Sequence, residues 1–122
     1  MSISSFSVIE DCSGIWVGYD FSEAYMINTY FNNACMNEAI FKNAVLRSTY
    51  FLKSELKRAD FTGADLTGAW FAGANLEGAD LNGAMLTNVV WYYNGYGETI
   101  CPDGYAATGH LNEDCMGEIL NP

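Results

Sequence analysis

Between Ala59 and Leu86 the chain reads ADFTGADLTGAWFAGANLEGADLNGAML: a small residue, one free position and a large apolar residue return every five residues. That period fits neither the 3.6 of a helix nor the 2 of a straight strand. The large residues run Phe21, Met26, Phe31, Met36, Phe41, Leu46, Phe51, Leu56, Phe61, Leu66, Phe71, Leu76, Leu81 and Leu86. They define fourteen consecutive pentapeptides, Tyr19 to Asn88, with no insertion. Two residues before these centres the side chain is small: alanine at ten of them, and Thr29, Thr49 or Ser54 at three more. Tyr19 breaks the rule at the edge.

One large and one small inward position, separated by an outward one, is the alternation of a strand. Because the alternation restarts every five residues, the chain must turn a corner each time. Gly63, Gly68, Gly73, Gly78 and Gly83 stand at the corner, where a positive φ is tolerated. Asn28, Asn33 and Asn43 hold the same position earlier, and asparagine is the next-best residue there. The expectation is an all-β chain built of short segments and corners.

With its A-(D/N)-L-x-x units, the chain resembles the pentapeptide-repeat family. The resemblance implies a right-handed quadrilateral β-helix in which four pentapeptides make one square coil and residues twenty apart stack. Sorted by twenty, Phe21, Phe41, Phe61 and Leu81 fill one wall, Phe31, Phe51, Phe71 and Trp91 the wall opposite, and Met and Leu the other two. The expected organisation is an N-terminal cap and degenerate coil at 1–18, the solenoid at 19–91 and a C-terminal cap at 92–122.

A chain of 122 residues, half of them hydrophobic, is enough for one domain with a modest core. The net charge of −10 disfavours nucleic acid and anionic membranes as direct partners. No apolar run approaches the roughly 18 residues of a membrane helix. All five cations, Lys42, Arg47, Lys53, Lys57 and Arg58, fall in one short segment.

Outward positions carry what the fold leaves for function. Tyr30, Tyr50, Trp70 and Val90 sort onto one face, with Leu52 and Tyr92 beside them, predicting an apolar stripe along the solenoid. Tyr25, Val45 and Met85 add apolar surface on the neighbouring face. Such a stripe reads as a protein interface, most simply of a homodimer. Aromatic residues that stack on one another, or a terminal cap folded over them, would need no partner. Asp20, Asp60, Asp65 and Asp80 are the candidate acidic face, read either as a solvated surface or as a site for a basic partner. Some members of the family mimic DNA and bind type II topoisomerases. Here the basic middle coils and the few acids between 59 and 88 make the likeness to that subgroup weak.

The tail resembles the W…N…T-x-C-P-D-G…C extension of exported family members, through Trp91, Asn94, Thr99, Cys101, Pro102, Asp103, Gly104 and Cys115. The resemblance implies an exported chain whose leader has been removed, periplasmic, extracellular or lumenal, and a disulfide between Cys101 and Cys115. In a reducing cytosol the two would be free thiols. Cys12 and Cys35 form a further candidate pair; four cysteines allow three connectivities, and sequence does not choose.

Catalytic chemistry finds little purchase. His110 is the only histidine, and Cys101, His110, Asp114 and Cys115 match no standard zinc spacing. No phosphate-binding loop or calcium loop is present, and a filled interior leaves no cleft. The expectation is a protein with no cofactor and no metal that presents flat surfaces to a protein partner. The alternatives are an acidic DNA mimic and an inert spacer.

Overall fold

In the computed structural model, residues 16–90 are described. Every fifth residue from position 18 to position 88 has a positive φ, between 55° and 73°. Glycine occupies this corner at 63, 68, 73, 78 and 83, but Glu23, Glu38, Ser48, Lys53 and Arg58 adopt it too. Every described corner but the one after Met26 is closed by a hydrogen bond across the turn: Ala24 N–H donates to the Phe21 carbonyl at 3.0 Å, Ala44 to Phe41 at 3.1 Å and Ala64 to Phe61 at 3.0 Å. A positive φ at the third residue, with that bond, is the geometry of a type II turn. The corner N–H is turned towards the next coil, as Glu23 N–H meets Lys42 O and Asn43 N–H meets Thr62 O, both at 2.9 Å.

Four corners return the chain above its starting point after twenty residues. The outward residues form four parallel ladders. On the first face Asp20 pairs with Ile40, Ile40 with Asp60 and Asp60 with Asp80; the second runs Tyr25, Val45, Asp65, Met85. The third runs Tyr30, Tyr50, Trp70, Val90, and the fourth Cys35, Glu55, Asn75. Each rung is one residue wide, because the corners leave no longer straight run. At its start the register includes Trp16, whose carbonyl accepts the Tyr19 N–H at 3.2 Å.

The inward residues fill the square. Every centre from Phe21 to Leu86 is buried, as are the small residues from Thr29 to Ala84 two positions before their centres. Phe21, Phe41 and Phe61 stack with ring centroids 4.9 Å apart, and Phe31, Phe51 and Phe71 stack at 5.5 and 5.0 Å. Across the interior the two columns meet edge to face, Phe51 with Phe61 at 5.8 Å and Phe61 with Phe71 at 5.7 Å. Both arrangements suit the aromatic quadrupole. Met26, Leu46 and Leu66, and Met36, Leu56 and Leu76, close the remaining walls.

Three small positions, Thr29, Thr49 and Ser54, hold a hydroxyl where the repeat prefers alanine. No Thr29 N–H bond closes the corner after Met26; instead the Thr49 hydroxyl, from the coil above, donates to the Met26 carbonyl at 2.8 Å. The Ser54 hydroxyl likewise donates to the Phe31 carbonyl. The sequence marks these residues only as small. Their donors satisfy buried carbonyls that would otherwise lack a full set of partners.

Candidate interaction faces

On the third face the ladder brings together Tyr30, Tyr50 and Trp70, as the spacing of twenty predicts. The Tyr30 and Tyr50 rings are parallel within 5°, with centroids 4.6 Å apart, and Tyr50 and Trp70 stack at 5.9 Å. Tyr30 is 42% exposed and Trp70 40%. Val90 ends the described ladder, and Leu52 stands half-buried at the adjoining corner. Tyr92 lies outside the described residues. Because the rings stack along the solenoid, the row presents mainly ring edges outward.

The apolar surface continues around a corner. Tyr25 on the second face is 66% exposed, Met85 is 53% exposed, and Ile27 at the intervening corner is also exposed. Ile27 did not emerge from the sequence as a surface residue of interest. Its position directly after a centre is the signal that could have found it, since that position always lies on a corner.

The acids behave differently from an open negative face. The Asp60 carboxylate accepts the Thr62 N–H at 2.9 Å, Asp80 accepts the Asn82 N–H at 2.9 Å, and Asp20 accepts the Ser22 N–H at 2.8 Å. Each oxygen thus anchors the first residue of its own turn. The Ser22 hydroxyl and N–H hold the Asp20 carboxyl below its ordinary value. Asn75 serves the Glu77 N–H in the same way, at 3.1 Å. The repeat's preference for Asp or Asn before the centre has this local cause.

Asp65 does not share a face with the other three. It lies buried on the second face, where its carboxylate accepts from Arg47 Nε–H at 2.6 Å and from the Thr67 hydroxyl at 2.6 Å. Burial pushes the Asp65 carboxyl up, but the Thr67 hydrogen bonds and the Arg47 guanidinium outweigh it and hold it below its ordinary value. The same pair shifts Arg47 upward. A second ion pair joins Arg58 to Glu38, 3.0 Å apart on the surface and twenty residues apart in sequence.

Charge is therefore unevenly distributed between solenoid and flanks. Residues 16–90 hold eight acids and all five cations, a net of −3; the remaining seven acids lie on the flanks, which have no Lys or Arg. The cations sit at one level, at or beside the four corners of the coil running from Ala39 to Arg58.

Among the cysteines, Cys35 is described. It is disulfide-bonded and, although outward on the fourth face, only 1% exposed. Cys12, Cys101 and Cys115, with the C-P-D-G tail, the C-terminal cap region and residues 1–15 of the N-terminal one, lie outside the described residues. Among the described residues no cluster of His, Cys, Asp and Glu could hold a metal, and no helix is long and apolar enough to cross a membrane.

The model of pentapeptide repeats matches residues 14–43, 39–78 and 59–90, in eight copies. The chain belongs to the pentapeptide repeat family. Among solved structures, this pentapeptide repeat protein is similar to one from the Arabidopsis thaliana thylakoid lumen, with 28% identity over 85% of this chain and 82% of that one, at a TM-score of 0.49. It is similar to Rfr23 from the cyanobacterium Cyanothece 51142, with 24% identity over 66% of this chain and 59% of that one (TM-score 0.44). A third is QnrB1, a plasmid-mediated fluoroquinolone resistance protein, with 19% identity over 65% of each chain (TM-score 0.37). No curated protein matches the sequence significantly. Family membership makes the described solenoid a pentapeptide repeat β-helix, the fold class that the resemblance of its repeat units implies.

Proposed function

We propose that this pentapeptide repeat protein is a non-enzymatic scaffold that docks another protein, most directly a second copy of itself, on its third face. The observation that carries the reading is the Tyr30–Tyr50–Trp70 ladder, exposed at Tyr30 and Trp70 and half-buried at Tyr50 between them. A rigid core fixes these side chains before any encounter, so ordering them costs little on binding. Tyrosine and tryptophan are the residue types that carry binding energy at protein interfaces. Leu52 at one corner and Ile27 and Tyr25 around the other widen the surface. A symmetric pair of copies would match the ladder to itself.

The acidic-decoy alternative needs a continuous negative surface of about one charge per 1.7 Å. A solenoid of net −3, with Asp65 neutralised by Arg47 and the other aspartates bound to their own turns, supports docking better. The disulfide at Cys35 supports an exported chain in an oxidising compartment.

Tyr50→Glu together with Trp70→Glu places two charges in the ladder without touching the core. Sedimentation velocity should show self-association abolished, with the melting curve little changed. Assembly of the wild type should barely respond to added salt, since apolar docking is weakly screened. An assembly that survives the double substitution, or that dissolves steeply with salt, contradicts the proposal.

A further inference from the structure

Asparagine directly follows a centre, in the second place of a corner, at Asn32, Asn37 and Asn82. The first two are pinned. Asn32 Oδ1 accepts the Leu52 N–H at 3.1 Å and Asn37 Oδ1 accepts the Lys57 N–H at 2.9 Å, each from the coil above. The N–H groups that follow them are engaged as well, Asn33 with the Leu52 carbonyl at 2.7 Å and Glu38 with the Lys57 carbonyl at 2.8 Å. Both asparagines are half-buried.

Asn82 is held differently. It is exposed, and its side-chain amide makes no hydrogen bond among the described residues. Its own N–H donates to Asp80 at 2.9 Å, and its carbonyl accepts the Gly63 N–H at 2.9 Å. Gly83 follows, exposed and at a φ of 73°, and its N–H has no acceptor among the described residues. No other asparagine among the described residues precedes a glycine.

An asparagine amide is open to attack by the backbone nitrogen of the next residue once that nitrogen can reach Cγ. In the type II setting the Asn82–Gly83 peptide faces away from the side chain and must turn over first. At Asn32 or Asn37 that rotation would break the Asn33 or Glu38 bond to the coil above and free a pinned side chain. At Asn82 it releases the Gly63 N–H alone, and glycine accepts either sign of φ.

We propose that Asn82–Gly83 is a self-modification site, at which the folded chain converts asparagine to aspartate and isoaspartate with water as the co-reactant. The Gly83 nitrogen bonds to Asn82 Cγ, and the side-chain nitrogen leaves as ammonia, carrying the proton that Gly83 gives up. Water opens the resulting five-membered succinimide. Cleavage between nitrogen and Cγ gives aspartate; cleavage between nitrogen and the backbone carbonyl carbon gives isoaspartate, whose main chain runs through Cβ and Cγ. Either product sets a new carboxylate beside Asp80, and isoaspartate lengthens a corner that must stay in register with Gly63 beneath it. The change runs one way, so the converted fraction records the age of the chain. The site lies on the corner between the first and second faces and is independent of the aromatic ladder.

Incubation of the full folded chain in mildly alkaline buffer, followed by peptide mapping with tandem mass spectrometry, tests the proposal. An amide-to-acid mass change should appear at Asn82, in two chromatographic forms, several-fold ahead of any change at Asn32 or Asn37. Conversion in the folded chain should stay within several-fold of that in the urea-unfolded chain, because the corner offers little protection. Gly83→Ala, with its fold verified by circular dichroism, should slow conversion at Asn82 several-fold. An Asn82 that stays intact in the folded chain, whether or not the unfolded chain is converted, overturns the proposal, as does an unchanged rate in Gly83→Ala.

Discussion

Gly63 and Gly83 occupy the same corner on successive coils, at φ of 69° and 73°, yet their surroundings differ. A methyl group on Gly63 would stand 2.3 Å from Asn43 Oδ1 and 3.4 Å from its Cγ. On Gly83 it would meet nothing nearer than 3.8 Å. Both substitutions by alanine force a side chain into the left-handed region, at about 1–2 kcal/mol. A less flexible unfolded chain returns about 0.4–1 kcal/mol of that. Gly83→Ala should therefore cost about 1 kcal/mol. Gly63→Ala should cost more, because the exposed Asn43 amide must swing off its rotamer, adding about 0.5–1.5 kcal/mol. Urea denaturation reads the two as shifts in midpoint at constant slope. Asn43→Gly removes the obstructing amide, so in that background the two alanine variants should lose equal stability. If Gly63→Ala and Gly83→Ala are equally destabilising in the wild type, or if Asn43→Gly leaves the difference intact, the stacking of corners by twenty residues is wrong.

Thr49→Ala restores the residue the repeat prefers, yet it should destabilise by about 1–3 kcal/mol, because the Met26 carbonyl loses its donor; thermal or urea melts decide, and a stabilised variant would refute the assignment. Asp65 has a carboxyl held below its ordinary value, so the stability it contributes is present above an unfolded pKa of about 3.9 and is lost as pH falls through the lower folded value. Melting temperatures between about pH 2 and 6 should accordingly fall with acid, and Asp65→Asn should flatten that fall. Phe51→Leu, at the middle of one aromatic column and edge-on to Phe41 and Phe61, should cost at least about 1 kcal/mol, measurable by the same melts.

What could be read from the sequence followed from repetition. Fourteen centres in register, sorted by the twenty-residue stacking that the family resemblance implies, placed the Phe21–Phe41–Phe61 and Phe31–Phe51–Phe71 columns and the Tyr30–Tyr50–Trp70 ladder, because one spacing governs them all. What could not be read depends on single side chains acting between coils. Glu23, Lys53 and Arg58 have no preference for positive φ and take it only because the packing of the coil imposes it. Thr49 and Ser54 pass as small residues until the carbonyls beneath them are located. Asp60 and Asp80 counted as surface charge, whereas their first task is to hold the N–H of Thr62 and Asn82. The Arg47–Asp65 pair spans eighteen residues, slightly off the stacking period, so sorting by twenty placed the two on different columns. Net charge misled in a similar way, since most of the excess lies on the flanks rather than on the solenoid.

The central claim, that the aromatic ladder is an open docking surface, is tested most directly by the solution mass of the unreduced protein. Size-exclusion chromatography with light scattering should give twice the 13.4 kDa of one chain, collapsing to a single chain on Trp70→Glu. A single-chain mass at every concentration, or a dimer that persists in the Trp70→Glu variant, would contradict the account.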